Sequence, residues 1–136
     1  MTYAEWCAAA QGSPQGLNDS NENAWAKTDN TGRNPTGLIP NATSIYNVRD
    51  CVGNVYEWLD ETTYQTTGST AFTWYDVMHG KGYWQMHMQN NASLIALRTG
   101  GFWESGVCAG SRTASLSNYP WYVSSNSGAR AACDAL

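Results

Sequence analysis

The sequence predicts a single domain of the α+β class, with one or two helices, a few short antiparallel strands and much ordered loop. Seven Trp and eight Tyr among 136 residues exclude a disordered chain, because disordered chains lack aromatic residues. One stretch with helical periodicity lies at the N terminus, and short apolar segments separated by turn-forming residues follow it. The abundance of Gly, Asn, Ser and Thr predicts that long loops cover a small core.

The first predicted element is a helix over residues 2–10. Thr2 can cap it, and Glu5 stands three residues later as the second half of a capping box. Gly12 then provides a stop signal. The apolar residues of this segment share one helical face, and they are Tyr3, Trp6, Cys7 and Ala10.

The next stretch, residues 13–40, is rich in turn-forming residues and predicts irregular loop, with one helical turn over residues 22–27. Beyond it, alternating or β-branched segments predict short strands. The predicted strands cover residues 52–59, 72–77, 94–98, 110–114 and 128–133. Met86 and Met88 flank His87 in an alternation that is also typical of a strand.

Charge and composition exclude several functions. The net charge is −4 and no cluster of Lys and Arg occurs, which argues against nucleic acid as a partner because phosphate neutralisation needs a basic face. No apolar stretch approaches the ~18 residues of a transmembrane helix, so direct membrane insertion is not expected. No signal peptide is visible at Met1, and the chain can be a domain of a longer protein.

The four cysteines do not predict a zinc site, since none forms a CxxC pair or stands near a histidine. If oxidised, they could pair in three ways, and the sequence does not choose among them. Cys7, Cys51 and Cys133 lie in apolar contexts, where plain buried thiols are the alternative, because free Cys packs as a small apolar residue. The cysteines are Cys7, Cys51, Cys108 and Cys133.

The last third of the chain, residues 100–134, combines two kinds of sequence. Short pieces suited to a rigid scaffold (GGxW, GSR, GAR and CD) alternate with runs of Ser, Asn, Tyr and Phe. Such runs are typical of antibody paratopes, where Tyr supplies contact area and Ser, Gly and Asn supply adaptable hydrogen bonds. Trp103, Arg112 and Arg130 lie in the scaffold pieces, where arginine forks can bridge loop carbonyls. The segment therefore predicts a binding surface.

Several motifs also carry a resemblance to a known family. VRDCVGNVYEWLDE, residues 48–61, resembles the signature of the formylglycine-generating-enzyme type of C-type lectin fold. The GSPQG and GRNPTG segments and the four C-terminal pieces resemble the lectin domains of phage tropism determinants, which are variable proteins of diversity-generating retroelements. This resemblance spans nearly the whole chain, and the C-terminal spacing is its most specific part.

The resemblance implies that mutagenesis at template adenines diversifies part of the C-terminal segment. Codons AAC and AAT would become NNC and NNT, which do not encode Trp, Glu, Gln, Lys or Met. All of the implied ligand-binding positions except Glu104 and Trp121 carry residues that such codons can encode. The positions carried over from the family are Phe102, Glu104, Ser105, Gly106, Cys108, Ser115, Ser117, Asn118, Tyr122, Ser124, Asn126 and Ser127. Tyr119 and Trp121 are added as aromatic anchors of the same loop, because aromatic residues dominate binding hot spots.

The resemblance also implies a structural calcium site, which is the one cofactor to consider. Its side-chain ligands would be Asp50 and Glu57, and its backbone ligands would be the carbonyls of Gly53 and Val55. Calcium prefers such oxygen ligands. The alternative, slightly favoured, is that Asp50 and Glu57 form hydrogen bonds to the backbone inside the domain.

Enzymatic activity is not expected. The two positions that correspond to the paired cysteines of formylglycine-generating enzymes are Ser105 and Gly110, and Cys108 is alone. His79 and His87 lack a nucleophile or acid at motif spacing. The EPN, QPD and WND motifs of calcium-dependent sugar binding are absent, although stacking of a sugar on Trp121 or Tyr122 keeps a fixed-specificity glycan-binding domain as the alternative.

The resemblance implies a protein ligand on a cell surface as the partner. It places the chain at a virion receptor-binding tip or on a cell surface. Family members can trimerise, so a homo-oligomer is compatible with the sequence, and avidity would then strengthen weak single sites.

Overall fold

This domain contains one mixed sheet of six strands and one short helix in its described residues. The computed structural model describes residues 1–15, 31–64, 72–75, 84–87 and 94–132. Within these ranges lie one helix, α1 (Tyr3–Ala9), and short 3-10 turns at Pro40–Ala42 and Gly106–Cys108. The strands are β1 (Tyr56–Tyr64), β2 (Phe72–Tyr75), β3 (Trp84–His87), β4 (Leu94–Gly100), β5 (Gly110–Asn118) and β6 (Ser127–Ala129).

The N-terminal helix forms for the reasons that the sequence predicts. The hydroxyl of Thr2 accepts a hydrogen bond from the backbone N–H of Glu5 at 3.3 Å, and the Glu5 carboxylate accepts one from Thr2 N–H at 2.7 Å. This capping box is confirmed. Trp6 is fully buried, and its indole N–H donates to the carbonyl of Ser111 at 2.6 Å. The helix is thereby fastened to β5.

The strand order across the sheet is β2-β3-β5-β4-β1-β6. The pairs β1–β4, β4–β5 and β2–β3 are antiparallel. The pairs β1–β6 and β3–β5 are parallel, so the sheet is mixed, whereas the sequence predicted antiparallel strands. The α+β class itself is confirmed.

The two faces of the central sheet have different chemistry. Leu59, Leu97 and Ala114 pack with Trp6 in the apolar core under α1. Residues alternate between faces along a strand, so Arg98, which is paired with Trp58 and Ser115 on the neighbouring strands, lies on the opposite face. The polar face of the sheet is therefore the one that the C-terminal loops can cover.

The bounds of two short strand predictions, those for β1 and β6, differ from the structure. Strand β1 begins at Tyr56 instead of residue 52, because Gly53 and Asn54 take positive φ values of 68° and 62° and form a turn. Strand β3, Trp84–His87, includes two residues of the alternating segment at residues 86–88, whose pattern is typical of a strand. Strand β6 is confined to Ser127–Ala129, shorter than predicted. The predicted helical turn at residues 22–27 lies outside the described residues.

The most consequential difference concerns β5, which runs to Asn118 and does not end at residue 114. Ser115 and Ser117, which the resemblance implies as ligand-binding positions beyond the predicted strand, therefore lie inside β5 and are only 0% and 6% exposed. Their hydroxyls contact the guanidinium of Arg98 across the strand pair. That polar partner allows small hydroxyl residues to occupy buried strand positions.

Among the described cysteines, Cys7, Cys51 and Cys108 are free thiols. Cys51 is buried in the core, which agrees with the buried-thiol alternative, whereas Cys7 is only partly buried at the edge of the core. Cys133 lies outside the described residues. No helix in the described part of the chain is long and apolar enough to cross a bilayer.

Candidate ligand-binding site

A concave pocket of about 200 Å³ opens on the polar face of the sheet. We call it the Arg98 pocket. Strands β1, β4 and β5 supply part of its wall, and the loops that flank β5 supply the rest. Its lining residues are Tyr56, Arg98, Phe102, Ser117, Asn118, Tyr122 and Asn126.

Arg98 forms the base of this pocket and is only 3% exposed. Its Nη1 donates to the hydroxyl of Ser127 at 2.8 Å. Its Nη2 donates to the hydroxyl of Ser117 at 3.0 Å and to Oδ1 of Asn118, with a longer contact of 3.4 Å to Ser115. One cation thus joins β4 to β5 and to the start of β6.

Aromatic rings surround the same guanidinium. Its central carbon lies 4.4 Å from the ring centroid of Tyr56, 5.2 Å from that of Trp58 and 5.7 Å from that of Tyr122. Ring faces attract cations at these distances. Burial lowers the pKa of Arg98, but an arginine stays protonated at neutral pH because its ordinary pKa is so high.

No carboxylate of the described residues pairs with Arg98. Its polar partners there are neutral hydroxyl and amide groups, and its Nε is buried without an acceptor among the described groups. Buried charges are normally paired with an opposite charge. The pocket therefore has an uncompensated positive charge at its base within the described part of the chain.

The rim of the pocket is aromatic. The ring of Phe102 lies 5.1 Å from that of Tyr56 and 5.5 Å from that of Trp103. Beside it, Tyr119 and Trp121 stack with centroids 5.5 Å apart and planes 7° apart. Trp121 is 68% exposed, so this stacked pair offers a large, pre-ordered contact surface next to the pocket.

The predicted ligand-binding positions fall into three groups. Phe102, Ser117, Asn118, Tyr122 and Asn126 line the pocket. Ser115 and Ser127 contact Arg98 from inside the domain. The remaining positions lie in the flanking loops outside the pocket lining, and they are Glu104, Ser105, Gly106, Cys108, Tyr119, Trp121 and Ser124.

Sequence reasoning missed Arg98, Tyr56 and Trp58. A signal for Arg98 was present, because a lone arginine inside the apolar strand LIALRTG must be either on an edge or partnered. Tyr56 and Trp58 stood inside the GNVYEW motif, whose alternation did not reveal which face the polar C-terminal loops would cover.

The scaffold prediction for the arginines holds for Arg130. Its Nε donates to Oε2 of Glu57 at 2.8 Å, its Nη2 donates to Oε1 of the same carboxylate, and Nη2 also donates to the carbonyl of Arg49 at 2.7 Å. Arg112, by contrast, has an exposed side chain. Its backbone carbonyl, and not its guanidinium, holds α1 against β5, since it accepts a hydrogen bond from the Tyr3 hydroxyl at 2.7 Å.

These contacts do not fit a calcium ion at Asp50, Gly53, Val55 and Glu57. Both carboxylate oxygens of Glu57 already accept hydrogen bonds from Arg130, whose positive charge takes the place of a metal ion. One oxygen of Asp50 accepts a hydrogen bond from Gly37 N–H at 2.8 Å.

Comparison with known proteins gives a fold neighbour but no family. No family model matches the chain, and no curated protein matches it in sequence. Among solved structures, one described as "Major Tropism Determinant P3c Variant" matches with a TM-score of 0.61 and 22% identity over 93% of this chain. The chain spans 31% of the length of that protein. At this identity the likeness shows a shared fold, which supports the lectin-like fold expected from the sequence.

Proposed function

We propose that this chain is a ligand-binding domain for receptor recognition. Its binding face would be the Arg98 pocket together with the stacked pair Tyr119–Trp121. We propose further that this face is diversified, as in variable proteins of diversity-generating retroelements, on a formylglycine-generating-enzyme type of C-type lectin scaffold. The described neighbour is by name a tropism determinant, which supports recognition of a surface receptor.

The observation that carries the proposal is the convergence of separate loop positions on one pocket. Phe102, Asn118, Tyr122 and Asn126 are spread over 25 residues of sequence, yet they line the same concavity with Ser117. These five belong to the positions that the resemblance implies for ligand binding, so the proposal and the shape of the surface agree at this pocket. Convergence is what a shared binding face requires.

The loop that carries half of this face is held in shape before any ligand arrives. Tyr122 N–H donates to the carbonyl of Tyr119 at 3.0 Å, and Ser127 N–H donates to that of Ser124 at 3.3 Å. The ends of the loop are fixed in β5 and β6. Such pre-ordering reduces the entropy lost on binding, which suits a surface whose side chains change.

We propose that this domain binds its ligand and does not catalyse a reaction. Cys108 is the thiol nearest to the proposed face in sequence, and burial raises its pKa. A catalytic cysteine needs the opposite shift, because the thiolate is the nucleophile. The described residues that line the pocket supply hydrogen-bond donors, aromatic rings and one cation, which supports recognition of a ligand rather than catalysis.

The proposed partner is a protein on another cell, with the chain at a virion tip or on a cell surface. Glycan binding is the alternative, and exposed Trp121 is the observation that favours it, since a flat indole can stack on a sugar ring. Trimerisation would add avidity in either case.

Sequencing of the encoding locus tests the diversification. We expect an adjacent reverse-transcriptase gene and a near-copy of the segment for residues 100–134, with differences confined to adenines of the copy. Differences should include the codons of the pocket-lining positions. A locus with neither feature would refute diversification and leave a domain of fixed specificity.

Binding to intact bacterial cells tests receptor recognition. A fluorescent tetramer of the domain is presented to a panel of strains, and bound fluorescence is measured by flow cytometry. Trp121→Ala should reduce binding, whereas Tyr46→Ala should not. Tyr46 is a matched control, since it is 62% exposed and lies by the end of α1, bonded to Gln11.

Treatment of the cells separates the two partner classes. Protease treatment should abolish binding if the receptor is a protein, and periodate oxidation should abolish it if the receptor is a glycan. Equal losses with Trp121→Ala and Tyr46→Ala would contradict the location of the binding face.

A further inference from the structure

We propose that the Arg98 pocket is a carboxylate subsite that receives an Asp or Glu side chain of the protein ligand. This inference rests on the proposed function, because it assigns a ligand chemistry to the same face. Two observations support it. Arg98 is a buried positive charge, and its hydrogen bonds fix the orientation of the Asn118 and Asn126 amides.

The first step is the state of the cation. Arg98 is only 3% exposed, and the groups that accept its hydrogen bonds within the described residues are neutral. Its Nε is buried without an acceptor there. A buried guanidinium that lacks an opposite charge keeps a positive potential in the pocket above it, since a low-dielectric interior screens charge poorly.

The second step is the orientation of Asn118. Arginine is only a donor, so the atoms that face it must be acceptors. Nη2 donates to the hydroxyl oxygen of Ser117, which in turn donates to Oδ1 of Asn118 at 2.8 Å. Nη2 also donates directly to that same Oδ1. The amide oxygen of Asn118 is thus turned toward Arg98, and its NH₂ group is turned away.

The third step repeats this logic on the other side of the guanidinium. Nη1 donates to the hydroxyl oxygen of Ser127, whose single proton is then available for Oδ1 of Asn126 at 3.1 Å. The amide NH₂ of Asn126 is therefore also turned away from the chain of hydrogen bonds. Among the described residues, the side-chain hydrogen bonds of Asn118 and Asn126 in this pocket are made by their Oδ1 atoms.

The consequence is a pocket that presents donors. Asn118 and Asn126 both line it, and their NH₂ groups are directed outward by hydrogen bonds that begin at one buried cation. Hydrogen bonds in a chain polarise one another in the same direction. The complementary ligand group is an acceptor with negative charge.

Size and charge favour a carboxylate over a phosphate. The pocket of about 200 Å³ is smaller than the about 300–1,000 Å³ of sites for whole small molecules, and it suits one side chain. A single guanidinium neutralises one carboxylate. A phosphate would bring a charge of about −1.5 to −2 and leave part of it uncompensated beside the rings of Phe102 and Tyr122.

The test uses blocked amino acids as probes. N-acetyl-glutamate α-amide is titrated into ¹⁵N-labelled protein, and its isostere N-acetyl-glutamine α-amide is the matched control probe. We expect saturable shifts of the side-chain NH₂ signals of Asn118 and Asn126, and of Arg98 Nε–H, with the acid. The glutamine probe should bind at least about tenfold more weakly, as for the loss of a charge-assisted hydrogen bond.

A variant that keeps the shape of the pocket isolates the charge. Asn118→Asp places a carboxylate against Arg98 without a change in size, so it should fold and should weaken the glutamate probe by at least about tenfold. Asn47→Asp adds the same charge at an exposed position on another loop and should leave the affinity unchanged. Equal binding by the Asn118→Asp variant would overturn the proposal.

Other outcomes also decide. Absence of shifts with the glutamate probe, or equal shifts with both probes, would overturn the carboxylate subsite. Tighter binding of inorganic phosphate would assign the pocket to phosphate, and tighter binding of glucuronic acid would assign it to an acidic sugar; either overturns the proposal. If Trp121→Ala still abolishes cell binding while the glutamate probe fails, the proposed function stands and only the subsite falls.

Discussion

Replacement of Arg130 by Met isolates the cost of leaving Glu57 buried without its cation. Glu57 is 7% exposed, and both of its oxygens accept hydrogen bonds from Arg130. Burial already raises the pKa of Glu57, and the guanidinium opposes that rise. Without Arg130, the carboxyl can stay folded inside the domain only by taking up a proton.

The free energy needed to protonate Glu57 determines how much stability Arg130→Met loses. A carboxyl that must be neutral in the folded state and has its ordinary pKa near 4.5 in the unfolded state costs about 1.4 kcal/mol per pH unit above that value. The loss in Arg130→Met should therefore be about 3.5 kcal/mol at pH 7 and below about 1 kcal/mol at pH 5. The first figure agrees with the about 3–5 kcal/mol expected for a broken buried ion pair.

The sign of the pH dependence follows from linkage. The variant's Glu57 has a folded-state pKa above its unfolded value, so its contribution is favourable below the unfolded pKa and is lost as pH rises through the folded one. Urea unfolding of wild type and variant at pH 5, 6 and 7 measures this difference.

Glu57→Gln in the same assay is the control. It leaves Arg130 without a carboxylate, but the Arg130 side chain is 26% exposed and can reach water. Its loss should be smaller, and should change less between pH 5 and 7, than the loss in Arg130→Met, because the wild-type rise in the pKa of Glu57 is opposed by the guanidinium. A loss in Arg130→Met that does not change over this range would refute the reasoning, because it would mean that Glu57 does not need its proton.

Three further predictions concern the thiol, the backbone and the rim. Burial raises the pKa of Cys51 from its ordinary value to about 11, so wild type should lose stability between pH 9 and 11 relative to Cys51→Ala, and a constant difference in urea midpoints would contradict this. Gly101→Ala should lower Tm by several degrees, since its Cβ would lie 2.9 Å from the backbone of the next loop at φ +80°. Gly32→Ala, at φ +88° with nothing within 4 Å, controls for backbone strain and should lower Tm less, so equal losses would show that crowding is not the cause. Trp121→Ala should change the free energy of unfolding by no more than about 0.5 kcal/mol in urea, as at exposed sites in general, and a loss above about 2 kcal/mol would show that the indole supports the fold.

Local interactions were the predictable part of this fold. The capping box of α1 lies within residues 2–5, and the buried face of the helix follows from its own spacing. The strands at residues 72–75 and 94–100 were found because their composition alone favours strands. These features need no knowledge of distant partners.

Distant pairings decided the rest. In sequence, Ser115 and Ser117 are typical of loop residues. Their burial in a strand is possible because Arg98 on the neighbouring strand donates hydrogen bonds to their hydroxyls. From its motif alone, Glu57 could be a calcium ligand. In the fold its carboxylate accepts hydrogen bonds from Arg130, 73 residues later in the chain. Sequence shows which residues can bond, whereas only the fold shows which of them meet.

The path from β5 to β6 limits how the binding face can change over time. Strands β4 and β1 lie between β5 and β6 in the sheet, so residues 119–126 must span three strand spacings, or about 14 Å. The same residues fully extended would reach about 26–29 Å, and the slack is taken up by turns. Removal of a few residues would straighten the path and draw the Tyr122 ring away from Arg98. The span therefore favours a constant loop length, so that the proposed diversification would proceed by exchange of side chains and not by insertion or deletion.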